Sequence, residues 1–333
     1  MPLAQTHDVT VPAVPEHSRP LPLRVGTRGS PLALVQTRTF LAMLRRVCPV
    51  LRDLDVFEEH AIHTTGDLVQ DRRLADIGGK GLFAKEIHEA LLDHRVDFAV
   101  HSLKDLETTL PPGIVLACVL EREDARDALI LGRDCGVPTP ADPLAALPRG
   151  AVIGTSSARR QAQLLHRRPD LRVTLLRGNV QTRLARVRSG EIAASVLALA
   201  GLRRLGLAAE ASAVLEPELM LPAAGQGIVG VTVRADDHPL RTLLTAVEDP
   251  RARAVATAER ALLAELDGSC RTPIGGHATL APDGTLMLTG LVARADGTFL
   301  LRQNLRGRAD AAAALGAELG RLLRAGSPAD VFA

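Results

Sequence analysis

Short apolar runs alternate along this chain with stretches whose apolar residues return every three or four positions. Residues 1–20 carry neither pattern. They are polar, punctuated by proline and without an apolar h-region, and read as a disordered extension and not a signal peptide. Residues 23–27 read as a strand. Ser30-Pro31 then opens a helix with Leu34, Val35, Leu41 and Leu44 at helical spacing, since Ser caps and Pro is tolerated in a first turn. Residues 56–62 read as a second strand, 64–81 as a long polar, glycine-rich stretch and 83–93 as an amphipathic helix. Residues 98–101 are a buried-type strand running into His101-Ser102-Leu103-Lys104-Asp105.

The middle of the chain repeats this plan. Strand, helix, strand, helix and strand patterns cover 151–154, 158–167, 172–176, 180–188 and 194–199, and a further helix opens at 201–205. The openings of the two halves are alike: Val25-Gly26-Thr27-Arg28-Gly29-Ser30 against Ile153-Gly154-Thr155-Ser156-Ser157-Ala158. Alternating strands and helices predict parallel sheets flanked by helices. Two such halves predict two α/β domains facing a cleft, with ligands at the carboxyl ends of the strands. Residues 222–227 start a return to the first domain through a strand at 228–233. After Asp249-Pro250 come a helix at 252–266, three strands separated by Pro282-Asp283-Gly284 and Ala295-Asp296-Gly297 turns, and a last helix at 311–324 with Asp310 placed to cap it. The predicted units are an extension (1–20), a first α/β domain (21–120 and 226–245), a second α/β domain (121–225) and a small α+β domain (246–333).

Composition narrows the function. At 333 residues the chain exceeds one core, and 46% hydrophobic with 23% charged residues is ordinary for a globular protein. A net charge of +2 makes the arginines a local patch, and the absence of Trp and Tyr removes stacking platforms; nucleic-acid binding is disfavoured. Cys48, Cys118, Cys135 and Cys270 are far apart with no C-x-x-C, which argues against a zinc site or disulfide framework and fits a reducing cytoplasm. No apolar stretch is long enough to span a membrane.

The candidate chemistry is anion binding. Gly154-Thr155-Ser156-Ser157-Ala158-Arg159-Arg160 and Arg177-Gly178-Asn179-Val180-Gln181-Thr182-Arg183 each follow an apolar run and open a helix. A helix start presents unpaired N–H groups and the positive dipole end, and guanidinium forks there suit several carboxylates or phosphates at once. A solvated basic face explains Arg167 and Arg168 well but Arg177 poorly. Lys104-Asp105 at a strand end has two readings: a carboxylate acting as general acid, base or cation stabiliser, or an N-cap for the next helix. Cys270, in a Gly-, Ser- and Pro-rich loop beside Arg271, is either a thiolate able to bond a ligand covalently or a small core residue, the reading favoured for Cys48 and Cys118. His101 reads as a satisfied core histidine. Gly78-Gly79-Lys80-Gly81 lacks the phosphate-loop spacing and reads as part of a mobile lid.

Taken in order, these segments resemble the porphobilinogen deaminase (hydroxymethylbilane synthase) family over about residues 23–325. They are Thr27-Arg28-Gly29-Ser30-Pro31-Leu32-Ala33, Gly78-Gly79-Lys80-Gly81-Leu82-Phe83, His101-Ser102-Leu103-Lys104-Asp105, Gly154-Thr155-Ser156-Ser157 with Arg159-Arg160-Gln161, and Leu176-Arg177-Gly178-Asn179 with Thr182-Arg183-Leu184. Pro222-Ala223 with Gly225-Gln226-Gly227, and Cys270 with Pro273-Ile274-Gly275, complete the series. The resemblance implies two periplasmic-binding-protein-like α/β domains plus a small α+β C-terminal domain. It implies a cytoplasmic, monomeric transferase of tetrapyrrole (haem) biosynthesis with no metal, nucleic acid or membrane partner. That enzyme joins four porphobilinogen units head to tail with release of ammonia, giving hydroxymethylbilane, on a dipyrromethane cofactor held by a thioether to Cys270. It further implies Asp105 as the catalytic carboxylate. Lys104, Thr155, Ser156, Ser157, Arg159 and Arg160 are the implied cofactor binders, and Arg28, Ser30, Arg177, Arg183 and Arg204 the implied substrate binders.

Three positions depart from the family pattern. Ser269 replaces the glycine usual before the cofactor cysteine, Leu106-Glu107 follow Lys-Asp where a hydrophobic residue and proline are common, and Asp76 stands where some relatives carry a lid lysine. The rival from another class is a non-catalytic anion-binding protein on the same two-lobed scaffold, because fold does not imply function. Cys270 in a third domain is the feature such a binder does not need.

Overall fold

The computed structural model of the protein describes residues 21–48, 51–52, 55–69, 72, 81–266 and 272–332. The extension at 1–20, Asp76, the glycine-rich residues 78–80, Ser269 and Cys270 lie outside them.

The first half opens with β1 (Leu23–Arg28), α1 (Pro31–Val47), β2 (Phe57–Ile62), a short α2 (Thr65–Leu68), α3 (Lys85–Leu92), β3 (Phe98–Ser102) and β4 (Ile114–Val119). The second contains β5 (Asp127–Leu131), β6 (Val152–Gly154), α4 (Ala158–Arg167), β7 (Arg172–Thr174), α5 (Val180–Arg188), β8 (Ala194–Ala198), α6 (Leu199–Arg204) and β9 (Ala213–Leu215). β10 (Val229–Arg234) and α7 (His238–Thr245) follow. The chain closes with α8 (Pro250–Glu265), β11 (Ile274–Leu280), β12 (Thr285–Ala293), β13 (Leu300–Arg308) and α9 (Ala312–Ala325).

Two five-stranded sheets share one plan: β2-β1-β3-β10-β4 and β7-β6-β8-β5-β9. The alike openings occupy equivalent places, since β1 and β6 are each second in order and each leads to a helix capped by serine. Ser30 Oγ accepts from Ala33 N at 3.3 Å and Ser157 Oγ from Arg160 N at 3.4 Å. The expectation of parallel sheets is corrected: both are mixed. β10 runs antiparallel to β3 and β4, and β5 antiparallel to β8 and β9. The reason is connectivity. The chain crosses between the sheets after β4 and again after β9, so each crossing enters the next sheet from its cleft edge and must run against its neighbours.

Apolar faces bury as the periodicity requires. Phe40, Leu41 and Leu44 of α1 are 0–3% exposed against Phe98 and Val100 of β3, and each such burial is worth about 1.5–3 kcal/mol. All six residues of β10 are buried, which fits a strand fourth of five with helices on both faces. The third unit is the antiparallel sheet β11-β12-β13 under α8 and α9, and its core continues into Leu103, Leu106 and Val119 of the first unit. Here another expectation fails: Asp310 does not cap the last helix. It pairs with Arg308 at 3.0 Å, and Ala311 precedes α9 without a side-chain cap. An exposed neighbouring guanidinium two residues back outcompetes the helix N–H groups for that carboxylate.

Candidate active site

The site is assembled at the carboxyl edges of the two large sheets. β3 ends at Ser102, and a single 3-10 turn, Leu103–Asp105, follows. Leu103 anchors this turn: its side chain is 1% exposed and its N–H donates to Ile228 O at 2.9 Å. Asp105 Oδ2 accepts from Arg28 Nη1 at 3.0 Å. Arg28 also donates through Nε to Asp67 Oδ2 at 3.2 Å, and its guanidinium carbon lies 4.2 Å over the Phe83 ring. Burial opposes the charge on Arg28, but Asp67 and Asp105 outweigh it and raise the pKa. The N-cap reading of Asp105 is overturned, because no helix begins between that turn and β4 at Ile114.

Lys104, beside it, donates from Nζ to Gln226 Oε1 at 3.3 Å. Burial, then the nearby Arg160, push this ammonium down from 10.5 to about 8. His101 is buried on β3 with Nε2 2.8 Å from Thr232 Oγ1, and burial lowers it to about 3. It is a neutral core histidine, as its sequence setting indicates.

Across the cleft, Thr155, Ser156 and Ser157 form the turn between β6 and α4, with Thr155 Oγ1 accepting from Ser157 N at 3.1 Å. Arg159 and Arg160 open α4 and are both 6% exposed. They converge on Asp127: Arg159 Nη2 donates to Oδ2 at 2.8 Å and Arg160 Nη2 to Oδ1 at 2.7 Å. Burial works to raise the Asp127 pKa, but the two arginines overcome it and hold the carboxyl below its usual range. Arg159 therefore compensates a fully buried anion besides presenting charge at the helix mouth. Arg160 Nε is buried and lacks a hydrogen-bond partner among the described residues.

Arg183 donates from Nε to Gly178 O at 3.0 Å; burial, Arg160 and Arg177 lower it to about 10. Arg177 spans the cleft, donating to Gly66 O at 2.7 Å and Val69 O at 2.9 Å. Arg204 donates to Gly227 O at 2.7 Å, on the second crossing. Ser30, Lys104, Asp105 and Arg28 line one small cleft with Phe83. A second depression, around Pro140, Arg167 and Leu219, carries none of these groups.

Asp127, Asp67, Phe83 and Gln226 enter the site without having been singled out as site residues. Asp127 had a legible signal: it heads the apolar strand Asp127-Ala128-Leu129-Ile130-Leu131, where an unpaired charge is not tolerated. Phe83 and Gln226 lie in segments that carry the family resemblance, but their partners, like that of Asp67, are remote in sequence. Glu107 turns inward, its Oε2 3.9 Å from His88 Nδ1, so it adds no carboxylate to the wall that holds Asp105. Cys118 is buried with its thiol pushed up to about 12 by burial, matching its reading as a core residue.

Comparison with known proteins decides what this arrangement belongs to. The family model described as porphobilinogen deaminase, dipyrromethane cofactor binding domain, matches residues 23–242, and the C-terminal domain of the same family matches 254–325. The chain belongs to the porphobilinogen deaminase family. It is 47% identical to the porphobilinogen deaminase of Paracoccus denitrificans, over 93% of this chain and 96% of that one. It is 49% identical to that of Chromobacterium violaceum, over 90% and 93%. The chloroplastic enzyme of Oryza sativa subsp. japonica is 45% identical over 86% of this chain and 78% of its own. Among solved structures, the VFT2 domain of Bordetella pertussis BvgS aligns with a TM-score of 0.40 at 13% identity, over 71% of this chain and 91% of that domain. Among the described residues no helix is long and apolar enough to cross a membrane.

Proposed function

We infer that this chain carries out the reaction of its family, joining four porphobilinogen molecules head to tail with loss of ammonia to give hydroxymethylbilane, on a dipyrromethane cofactor. Each pyrrole brings an acetate and a propionate, so the bound chain is a growing polyanion. The donor set fits such a group. Arg160 Nε is a buried donor in need of an acceptor, and burial together with like charges, Arg160 foremost, depresses both Lys104 and Arg183. An incoming carboxylate relieves that repulsion. The cofactor supplies the free pyrrole carbon from which the chain extends.

The residues divide the work as follows. Lys104, Thr155, Ser156, Ser157, Arg159 and Arg160 hold cofactor carboxylates, Lys104 beside Asp105 also holds a substrate carboxylate, and Ser30, Arg177, Arg183 and Arg204 hold further carboxylates of substrate. Arg28 faces substrate and also orients Asp105. Asp105 stabilises the positive charge that develops on pyrrole nitrogen as ammonia leaves and as the new carbon–carbon bond forms, and it takes up or returns the nitrogen proton. Cys270 is the attachment point. Units 21–120 with 226–245, 121–225 and 246–333 are the domains, and the chain acts as a cytoplasmic monomer with no nucleic-acid or membrane partner.

The observation that carries this reading is the carboxylate of Asp105 held by Arg28 opposite the basic wall of the second sheet. Intact mass of the purified protein tests it. A covalent adduct that grows stepwise with porphobilinogen supports it, and an unmodified mass with no turnover leaves only an anion-binding protein.

A further inference from the structure

Gln226 lies on the second crossing between the sheets, where the chain leaves the second unit for β10. Its side chain is 1% exposed, and its amide is engaged by the head of β5 on one side and by Lys104 of the first sheet on the other. Nε2 donates to Ala125 O at 2.7 Å and to Asp127 Oδ1 at 2.9 Å. Oε1 accepts from Lys104 Nζ at 3.3 Å. Its main-chain oxygen accepts from Arg122 Nε at 2.9 Å. Arg122 belongs to the first crossing and donates to Glu259 of α8 at 2.6 Å, and the same Glu259 accepts from Gly225 N at 2.7 Å. The flanking glycines make the placement possible. Gly225 and Gly227 have φ of +74° and +88°, and a Cβ on Gly227 would meet Glu123 O at 2.2 Å.

The orientation of this amide is dictated on both sides. Asp127 is an ionised acceptor already taken by Arg159 and Arg160, so the amide must present N–H to it. Lys104 has only donors, so the amide must present oxygen to it. One planar group thus fixes the distance between the ammonium of the first sheet and the doubly paired carboxylate of the second. We propose that Gln226 is a positioning residue for the family reaction, which holds the Lys104 ammonium charged and in register with the Arg159–Arg160 pair so that the two walls grip one anionic chain. This rests on Lys104 being a carboxylate binder.

The test exploits the lysine content: Lys80, Lys85 and Lys104 are the only three. Holoenzyme labelled with carbon-13 at lysine Cε gives three NMR signals, and Lys104→Arg identifies the relevant one. Gln226→Leu removes the acceptor, so the Lys104 titration should move down by roughly one unit. Gln226→Glu adds a negative charge on the same side and should move it up. Gln226→Met is the reserve if the Glu variant does not fold beside Asp127, and it should again move down. In the Leu variant KM for porphobilinogen should rise about tenfold with a smaller change in kcat, and that increase should vanish when Lys104→Met is already present. A folded Gln226→Leu protein with an unshifted Lys104 signal, or shifts of the same sign in the Leu and Glu variants, overturns the proposal even if the melting temperature falls. Normal cofactor loading and normal KM in Lys104→Met overturn the underlying reading of Lys104 instead, so the two failures are distinct.

Discussion

Asp105 and Arg28 hold each other at 3.0 Å with about a quarter or less of each side chain exposed, and the chemistry proposed above turns on that pair. Asp105→Asn keeps the shape and removes the charge. A rate loss on the order of 10² or more is expected, with cofactor still attached. The melting temperature should change little, because a partly solvated ion pair contributes about 1 kcal/mol or less. Asp105→Glu should retain more activity than Asn. Turnover near wild type in the Asn variant would move the catalytic role elsewhere. Asp127 should behave in the opposite way. Asp127→Asn strands two buried guanidinium groups, and the expected cost is about 3–5 kcal/mol of stability by denaturant titration. Arg159→Leu should likewise lose stability besides cofactor loading. The sequence marked Arg159 and Arg160 as basic groups at a helix mouth. It did not show that they share an internal counter-ion, since Asp127 lies more than 30 residues away and only the sheet brings it near.

At the scale of elements, the crossings matter most. Glu259 of α8 accepts from Arg122 on the first crossing, from Gly225 N on the second and from Ala278 N of β11, at 2.6–2.7 Å. One carboxylate with no exposure therefore ties both inter-sheet connections to the third unit. Glu259→Gln should lower stability by about 3 kcal/mol or more, because Arg122 loses its charged partner. It should also weaken cofactor retention, read by intact mass. Normal stability in that variant would show that the crossings are held by backbone contacts alone. Most helices were legible from periodicity; α4 and α5 follow the expected 158–167 and 180–188. Strands β4, β5 and β9 were not singled out. β5 and β9 are short, and all three lie where the pattern between charged and proline-rich stretches carries no helix to bracket them.

For the whole molecule, burial and charge crowding in the cleft predict how binding depends on pH. Lys104 sits at about 8, well below its ordinary 10.5. Below about pH 8 it is protonated and attracts carboxylate. As pH rises through about 8 it loses its proton, so affinity for porphobilinogen should fall there, and a bound carboxylate should shift the loss to higher pH. KM measured against pH should show this alkaline limb, and Lys104→Arg should remove it, since arginine stays charged. An identical limb in the Arg variant would assign it to another group. Cys270→Ser should fold and carry no adduct; an adduct found on Cys48, Cys118 or Cys135 would overturn the attachment. By itself, the order of apolar runs, caps and turn residues determined two α/β halves and a distinct third unit. It placed arginines, Lys104 and Asp105 at strand ends, because those features depend on neighbours within a few residues. Tertiary structure alone decided that the sheets are mixed, that Arg28 holds Asp105, that Asp127 gathers Arg159 and Arg160, and that Gln226 joins Lys104 to them. Arg28 reaches Asp105 because β1 pairs with β3, Asp127 reaches Arg159 and Arg160 within the second sheet, and the crossings bring Gln226 to Lys104; contacts such as that one, between residues 122 positions apart, leave no local pattern in a single chain.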